Sequence, residues 1–391
     1  MQVTVNVAKP ILQWILNNVQ LDTLPPQVAK HLITWNSGEK EPTYNQIEKV
    51  SQSTGIPLGY FFLQTPPEED IPLLEFRTLN SQTYDNPSRE LIDTVHDMDQ
   101  VQEWTRNHMK SEGDAPLGFI GMLKSGMIAR DAASDIRKLL GIQENWYAQR
   151  KSASDSIRFL RSLISDLGVL VMMSGIVGNN THRPLNISEF RAFAIVDEYA
   201  PLIFLNSNDS VNGRLFSLLH EFIHICLGED DLFNDRDSTA FGIRHVETFC
   251  NAVTAELLVP MSCFVESWNS YINEYDEGQT IDILAKEYRC GMTVIARRAL
   301  DAGFISAAVY QQIAKLAIKL YNDKKKKDKE EGNGGGDFYR TASSRIDGRF
   351  FEMLSNSVAA GRTLYSETFR LTNTNRSTFF KLADTKMGGG M

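Results

Sequence analysis

Apolar residues fall at three- and four-residue intervals in three short runs near the start of the chain. This pattern predicts helices over Lys9–Val19, Gln27–Trp35 and Tyr44–Ser53, with "NSGEKEPT" as the turn between the second and third. Pro66, Pro67 and Pro72 then break the pattern, because proline removes a backbone donor and clashes with the preceding helical turn. Helical spacing returns from Ser88 to about Asp166, in "RELIDTVHDMDQVQEWTRNHM" and "ARDAASDIRKLLGI". Beyond it the period shortens. "GVLVMMSGIV" and "EFRAFAIVDEYAPLIFLNS" are β-branched and aromatic runs, and Asp197 to Ala200 supplies a tight connection, so the second run reads as an antiparallel hairpin. Helices resume at Val211 and dominate to Leu320. The middle of the chain is therefore expected to be α+β, a small sheet followed at once by a helix.

Composition divides this pattern into units. "YNDKKKKDKEEGNGGGDF" joins a block of like charges to a run of glycines, which reads as a solvated linker. The expected organisation is a small helical unit over 1–65 that suggests a helix-turn-helix module, a helical connector over 66–150 and a central domain over 151–322. A linker over 323–336 and a small helical C-terminal domain over 337–391 complete it. In the last of these, "LYSETFRLTNTNRSTFFKLA" predicts two helices. A length of 391 residues fits two or three domains, and 42% apolar with 23% charged residues is an ordinary globular balance.

The formal charge of −9 argues against a protein that coats nucleic acid or an anionic membrane. The N-terminus lacks a basic leader region, and no apolar segment approaches a transmembrane length. Cys226, Cys250, Cys263 and Cys290 show no Cys-x-x-Cys spacing and read as reduced, mostly buried thiols. A cytoplasmic protein is expected. Locally, residues 1–65 hold four Lys and no Arg against one Asp and three Glu, a net of zero, whereas residues 337–391 hold eight basic and five acidic residues, a net of +3. DNA binding by the first unit is weakly supported on that count, and packing or partner docking is the stronger expectation.

The candidate chemistry lies in "FSLLHEFIHICLGEDD". On a helix, positions four apart sit about 40° from each other, so His220 and His224 share a face and can bind one zinc ion. Glu221 projects about 100° away, placed to take a proton from water rather than to bind the ion. The five-residue pattern alone arises by accident in about one such sequence in a hundred, so its context matters. A catalytic zinc takes three protein ligands and keeps a fourth position for water. "RHVETFCNAVTAELLVP" offers His245, Glu247 and Glu256 for the third, and spacing does not choose among them. Asn251, four residues after Glu247, is a candidate to orient a ligand from behind. His182 in "NNTHRP" and Tyr199 in the hairpin turn are more remote candidates for the cleft. His31, His96 and His108 lie in helical runs without metal spacing and read as structural.

"GNNTHRPLNISEFRAFAIVDEYAPLIFLNSNDS", "GRLFSLLHEFIHICLGE" and "VETFCNAVTAELLVP" together closely resemble the ImmA/IrrE-type metallo-endopeptidases. The resemblance implies a zincin-like (gluzincin) fold with zinc as cofactor. It also implies that Glu247, the first residue of Glu247-Thr-Phe-Cys-Asn251, is the third ligand. "WNSGEKEPTYNQIEKVSQSTGIPLGYFFLQTPPEEDIPLLEFRT" is similar to the phage-repressor helix-turn-helix often fused ahead of these peptidases, although the stretch from Gln20 to Trp35 is several residues short for the usual two helices. The segment from Gly334 is similar to a tail found in the same longer subgroup. The implied substrate is a helix-turn-helix repressor, cut to relieve repression. The rival reading is a regulator or antitoxin that binds a toxin, for example a PIN-type nuclease, with proteolysis secondary.

Overall fold

The computed structural model describes residues 4–67 apart from 20 and 23, then 87–228, 240–330 and 338–387. It is predominantly helical with one small mixed sheet, so the α+β expectation holds.

Helices α1 (Lys9–Asn18), α2 (Pro26–Asn36) and α3 (Tyr44–Thr54), with a 3-10 turn over Leu58–Phe62, enclose a core of their own around Ile11, Ile15, Leu32, Ile47, Val50 and Phe61. α3 begins with a capping box, in which the Thr43 N–H donates to Gln46 Oε1 at 3.0 Å. It ends where Gly55 takes the left-handed conformation at φ +74°. Between residues 20 and 36 the described chain forms one helix, α2.

The body then runs α4 (Arg89–Glu112), α5 (Ala129–Leu140), α6 (Ala153–Asp166), β1 (Leu170–Ser174), β2 (Ala192–Ile195), β3 (Leu202–Asn206) and α7 (Val211–Leu227). It continues with α8 (Ala240–Leu258), α9 (Met261–Tyr271), α10 (Glu277–Glu287), α11 (Met292–Asp301) and α12 (Ala307–Glu330). The sheet order is β1-β3-β2. β1 pairs parallel to β3 with Leu170 opposite Leu202, and β2 pairs antiparallel with Ala192 opposite Leu205. Alternate residues serve opposite faces, as the pleat requires. Val171, Ala192, Ile203 and Leu205 enter a core shared with α5 to α11, which also takes in Ala132, Ile136 and Trp146 from the segment expected to be a connector.

Leu170, Met172, Phe193, Leu202 and Phe204 point the other way, and the C-terminal segment covers them. That segment holds four helices, α13 (Phe338–Arg345), α14 (Gly348–Ala359), α15 (Tyr365–Leu371) and α16 (Arg376–Met387). The last two are the predicted pair. The first two and the residue Ile346 between them carry Ala342, Ile346, Phe350, Phe351 and Leu354 into the same core as the strands, so the tail completes the sheet and has no separate core. It also closes the outer edge of β1. The Val171 N–H donates to Asp347 Oδ2 at 3.2 Å, and Arg161 Nη2 donates to the Val171 carbonyl at 2.6 Å and through Nη1 to the Ser344 carbonyl at 2.7 Å.

The expected linker over 323–336 is corrected in its first half, because α12 stays helical through Lys324–Lys327 to Glu330. Lysine is a good helix former, and the helix is anchored where Tyr321 donates to the Asn208 carbonyl at 2.6 Å. The rest of that segment lies outside the described residues. Among the described residues no single helix is long and apolar enough to cross a membrane.

Phe350 is fully buried where the tail meets the sheet. Replacing it with Ala is expected to cost about 3–5 kcal/mol in chemical denaturation, whereas Leu364→Ala, at an exposed position, should stay within about 0.5 kcal/mol of the parent.

Candidate metal centre

α7 is buried on every side from Ser217 to Leu227, so its histidines sit in the middle of the body. Its start is capped by Ser210, whose hydroxyl accepts from the Gly213 N–H at 2.9 Å. Its end is set by Gly228 at φ +62°, where a side chain would strike the Gly121 backbone, and the Leu123 N–H donates to the Cys226 carbonyl at 3.0 Å. α8 packs along α7 through Phe249, Cys250, Val253 and Leu257.

This packing brings three donor groups together from two helices. His220 Nε2 and His224 Nε2 are 3.1 Å apart, and Glu247 places Oε2 3.2 Å from the first and Oε1 3.6 Å from the second. Two imidazoles and one carboxylate form a group able to hold a metal ion. The spacing can be tested against coordination geometry. Bonds of about 2.0–2.1 Å in a tetrahedron set neighbouring donors about 3.3–3.4 Å apart. The two imidazole nitrogens lie near that spacing, Glu247 meets each through a different oxygen, and one donor atom from each residue falls within 4.8 Å of the others. The residues present therefore fit zinc. Glu221, next to His220 and 4% exposed, is buried beside the group.

The structure also separates the three contenders for the third ligand. His245 is exposed. Glu256 is buried in an ion pair with Arg298, with Nη2 to Oε2 at 2.7 Å, and it accepts from the Met261 N–H at 3.3 Å. Burial pulls the Arg298 guanidinium below its ordinary value, and Glu256 opposes that shift. Glu256 thus belongs to a structural knot. Arg137 donates to its carbonyl at 2.5 Å, Trp146 Nε1 donates to the Leu257 carbonyl at 3.0 Å, and Arg298 Nε donates to the Val259 carbonyl at 2.9 Å. Glu247 is the one that meets the histidines.

Other candidates fall elsewhere. Asn251 is exposed, which corrects its expected place behind the ligands, since one residue's step turns the side chain about 100° round the helix. Cys250 holds that place, with Sγ 3.5 Å from His224 Nδ1. The Glu-Thr-Phe-Cys-Asn string contained it, one position before the residue chosen. His182 is exposed in the loop before β2, and its N–H donates to Asn180 Oδ1 at 3.0 Å. Tyr199 lies under the Lys110 ammonium, 4.7 Å from the ring centre. Neither joins the donor group. His31 stacks on Trp35 and His108 on Trp104, with ring centres 5.5 and 5.0 Å apart.

β2 forms one edge of the sheet. The Asn206 N–H donates to the Arg191 carbonyl at 2.8 Å, so in the antiparallel register the N–H and C=O of Ala192 and Ala194 point away from β3. Among the described residues no strand pairs with them.

Two family models match the chain. The IrrE N-terminal-like domain, peptidase type M78, matches residues 164–300, and a domain of unknown function, DUF8813, matches residues 346–385. The first match spans α7, α8 and every donor of the metal group, and makes this region similar to metallopeptidases of the ImmA/IrrE type. The second covers most of the tail that completes the sheet. No curated protein matches the chain.

Alanine at His220, His224 or Glu247 is expected to abolish retention of stoichiometric zinc after purification, while His245→Ala retains it, as read by metal analysis. Glu256→Ala leaves Arg298 buried without its counter-charge and should cost about 3–5 kcal/mol in chemical denaturation.

Proposed function

We propose that the chain is a zinc-dependent endopeptidase of zincin-like, gluzincin type. The observation that carries this reading is the convergence of His220, His224 and Glu247 into one donor group whose ligand atoms lie within 4.8 Å of one another, with the buried Glu221 next to His220. A zinc ion held there supplies a Lewis acid for a peptide carbonyl and lowers the pKa of its water. Glu221 takes a proton from the water that adds to the carbonyl carbon. It returns that proton to the departing amine as the C–N bond breaks, so the residue ends in the charge state in which it began. The surrounding helices bury Glu221, which strengthens its charge interactions.

The substrate in this reading is a protein segment drawn out as a strand. The outward N–H and C=O groups of Ala192 and Ala194 can pair with it, while alternate side chains face towards and away from the metal. The opposite edge, at Val171, is already capped by Asp347 and Arg161. A helix-turn-helix repressor is the proposed substrate class on the resemblance of the motifs, with cleavage relieving repression. The 1–65 unit, with zero net charge and one helix where two are usual, fits docking to a protein better than reading DNA.

A second reading draws on a different observation. Ile33, Tyr44, Phe62 and Leu63 of that unit are exposed, and the Tyr44 and Phe62 rings lie 6.5 Å apart. Such a patch suits a protein partner, a toxin such as a PIN-type nuclease included, held without cleavage. A stoichiometric complex that survives removal of zinc would favour it.

The enzyme reading is tested with Glu221→Gln. The variant should keep its zinc and lose about 10²–10⁴-fold of the cleavage rate on a helix-turn-helix repressor that the parent cleaves, followed by gel and mass spectrometry. Equal cleavage by parent and variant would end the assignment.

A further inference from the structure

The two histidines differ in what holds their second nitrogen. Nε2 of each faces Glu247, at 3.2 Å for His220 and 3.6 Å for His224. A neutral imidazole carries its proton on one nitrogen and its lone pair on the other, so a lone pair offered at Nε2 puts the proton on Nδ1. This tautomer is assigned from the geometry. His224 has a partner for that proton in Cys250 Sγ at 3.5 Å. His220 Nδ1 is buried and has no hydrogen-bond partner among the described residues; its ring is held instead by stacking on Phe216, with centres 6.0 Å apart and planes 26° from parallel. Cys250 is fully buried, so no solvent competes for the contact. It also lies three residues after Glu247, so one turn of α8 offers both the third donor and the group behind the second.

We propose that Cys250 is a positioning residue for the metal centre: its sulfur accepts the His224 Nδ1–H and thereby fixes the tautomer and ring angle that turn Nε2 to the ion. The inference rests on the metallopeptidase reading above and deepens it. The sulfur does not ligate, because Nδ1 and Nε2 face opposite sides of the ring. Groups that back a metal-bound histidine are more often carboxylates or carbonyls, which make the ring more basic. A thiol sulfur is a weak acceptor, so it orients His224 while adding little to its donor strength. The ion is thereby left more electrophilic towards a peptide carbonyl. The same burial accounts for the use of a thiol, since a carboxylate at this position would be a further charge without water in an apolar core.

The test uses the full-length protein stripped of metal and reloaded with zinc or cobalt. Cys250→Ala should weaken zinc binding about tenfold, the lower end of what removal of such a partner costs, and should move the cobalt d–d bands. Cys250→Ser, which keeps an acceptor of similar size, should recover most of the affinity and the parent band positions. Cys226→Ala, at an equally buried cysteine on α7, should leave both unchanged. The proposal is overturned if Cys250→Ala, folded by circular dichroism, binds zinc like the parent. It is also overturned if the parent shows a sulfur-to-cobalt charge-transfer band that Cys250→Ala removes, which would make Cys250 a ligand. Parent protein that fails to bind zinc at all would remove the metallopeptidase reading along with it.

Discussion

The contact between α7 and α8 is the constraint on which the rest of the body depends. The donor group draws His220 and His224 from one helix and Glu247 from the other, and neither helix can bring them together alone. Each is therefore fixed at a terminus by groups remote from the donors. The end of α7 is set by Gly228 against Gly121 and by the bond from Leu123 to Cys226. The end of α8 is held by Arg137, Trp146 and Arg298, two of them cations with little water around them. A buried ion pair such as Glu256–Arg298 adds little net stability against a well-packed apolar pair of the same volume. Its value here is directional, because the fork of Arg298 reaches both the Glu256 carboxylate and the Val259 carbonyl and so fixes where the helix stops.

The sheet shows a matching division of labour. Its α7 face helps bury α7 and α8, and its other face is covered by the tail together with α4. The tail also takes up the Val171 edge through Asp347, which leaves the β2 edge as the unpaired one among the described strands. An unpaired edge in a stable sheet is a hazard for aggregation as well as a template for a peptide. Here it is only four residues long, which limits the first without removing the second.

How much of this could be read from the sequence follows from the range of the forces involved. His220 and His224 were legible because a helix alone determines that positions four apart share a face. The strands were legible as short β-branched and aromatic runs, apolar on both faces because each face meets a core, and the hairpin because its turn is local. The third ligand was not legible from spacing, since Glu247 and Glu256 lie on one helix and only the packing of α8 on α7 tells them apart; the motif resemblance favoured Glu247, which is the carboxylate that meets the histidines. Asn251 and Cys250 differ by one position, and the rotation between them is set by tertiary contact too. The lysine run misled for another reason. Its charges do forbid burial, but exposure does not forbid a helix, and Lys324–Lys327 are exposed on α12. In the tail, α13 is polar in sequence and becomes helical in contact with β1, so pattern alone had no apolar face to find there.

The attachment of the N-terminal unit follows the same logic of long-range contact. Arg183, 7% exposed, lies midway along the loop between β1 and β2, and its guanidinium lies against Gly55 at the end of α3, where any side chain would collide with it. The same guanidinium pairs with Glu90 at 3.2 Å and Asp93 at 2.7 Å on α4. One buried cation thus touches the N-terminal unit, the α4 helix and the peptidase-like domain, and its two carboxylate partners meet the condition for burying it. The backbone of Arg183 is held in turn, as its N–H donates to the Asn180 carbonyl and its own carbonyl accepts from the Val177 N–H, both at 3.0 Å. This loop leads directly towards β2. The residue that seats the N-terminal unit therefore lies in the same loop that leads into the edge strand β2.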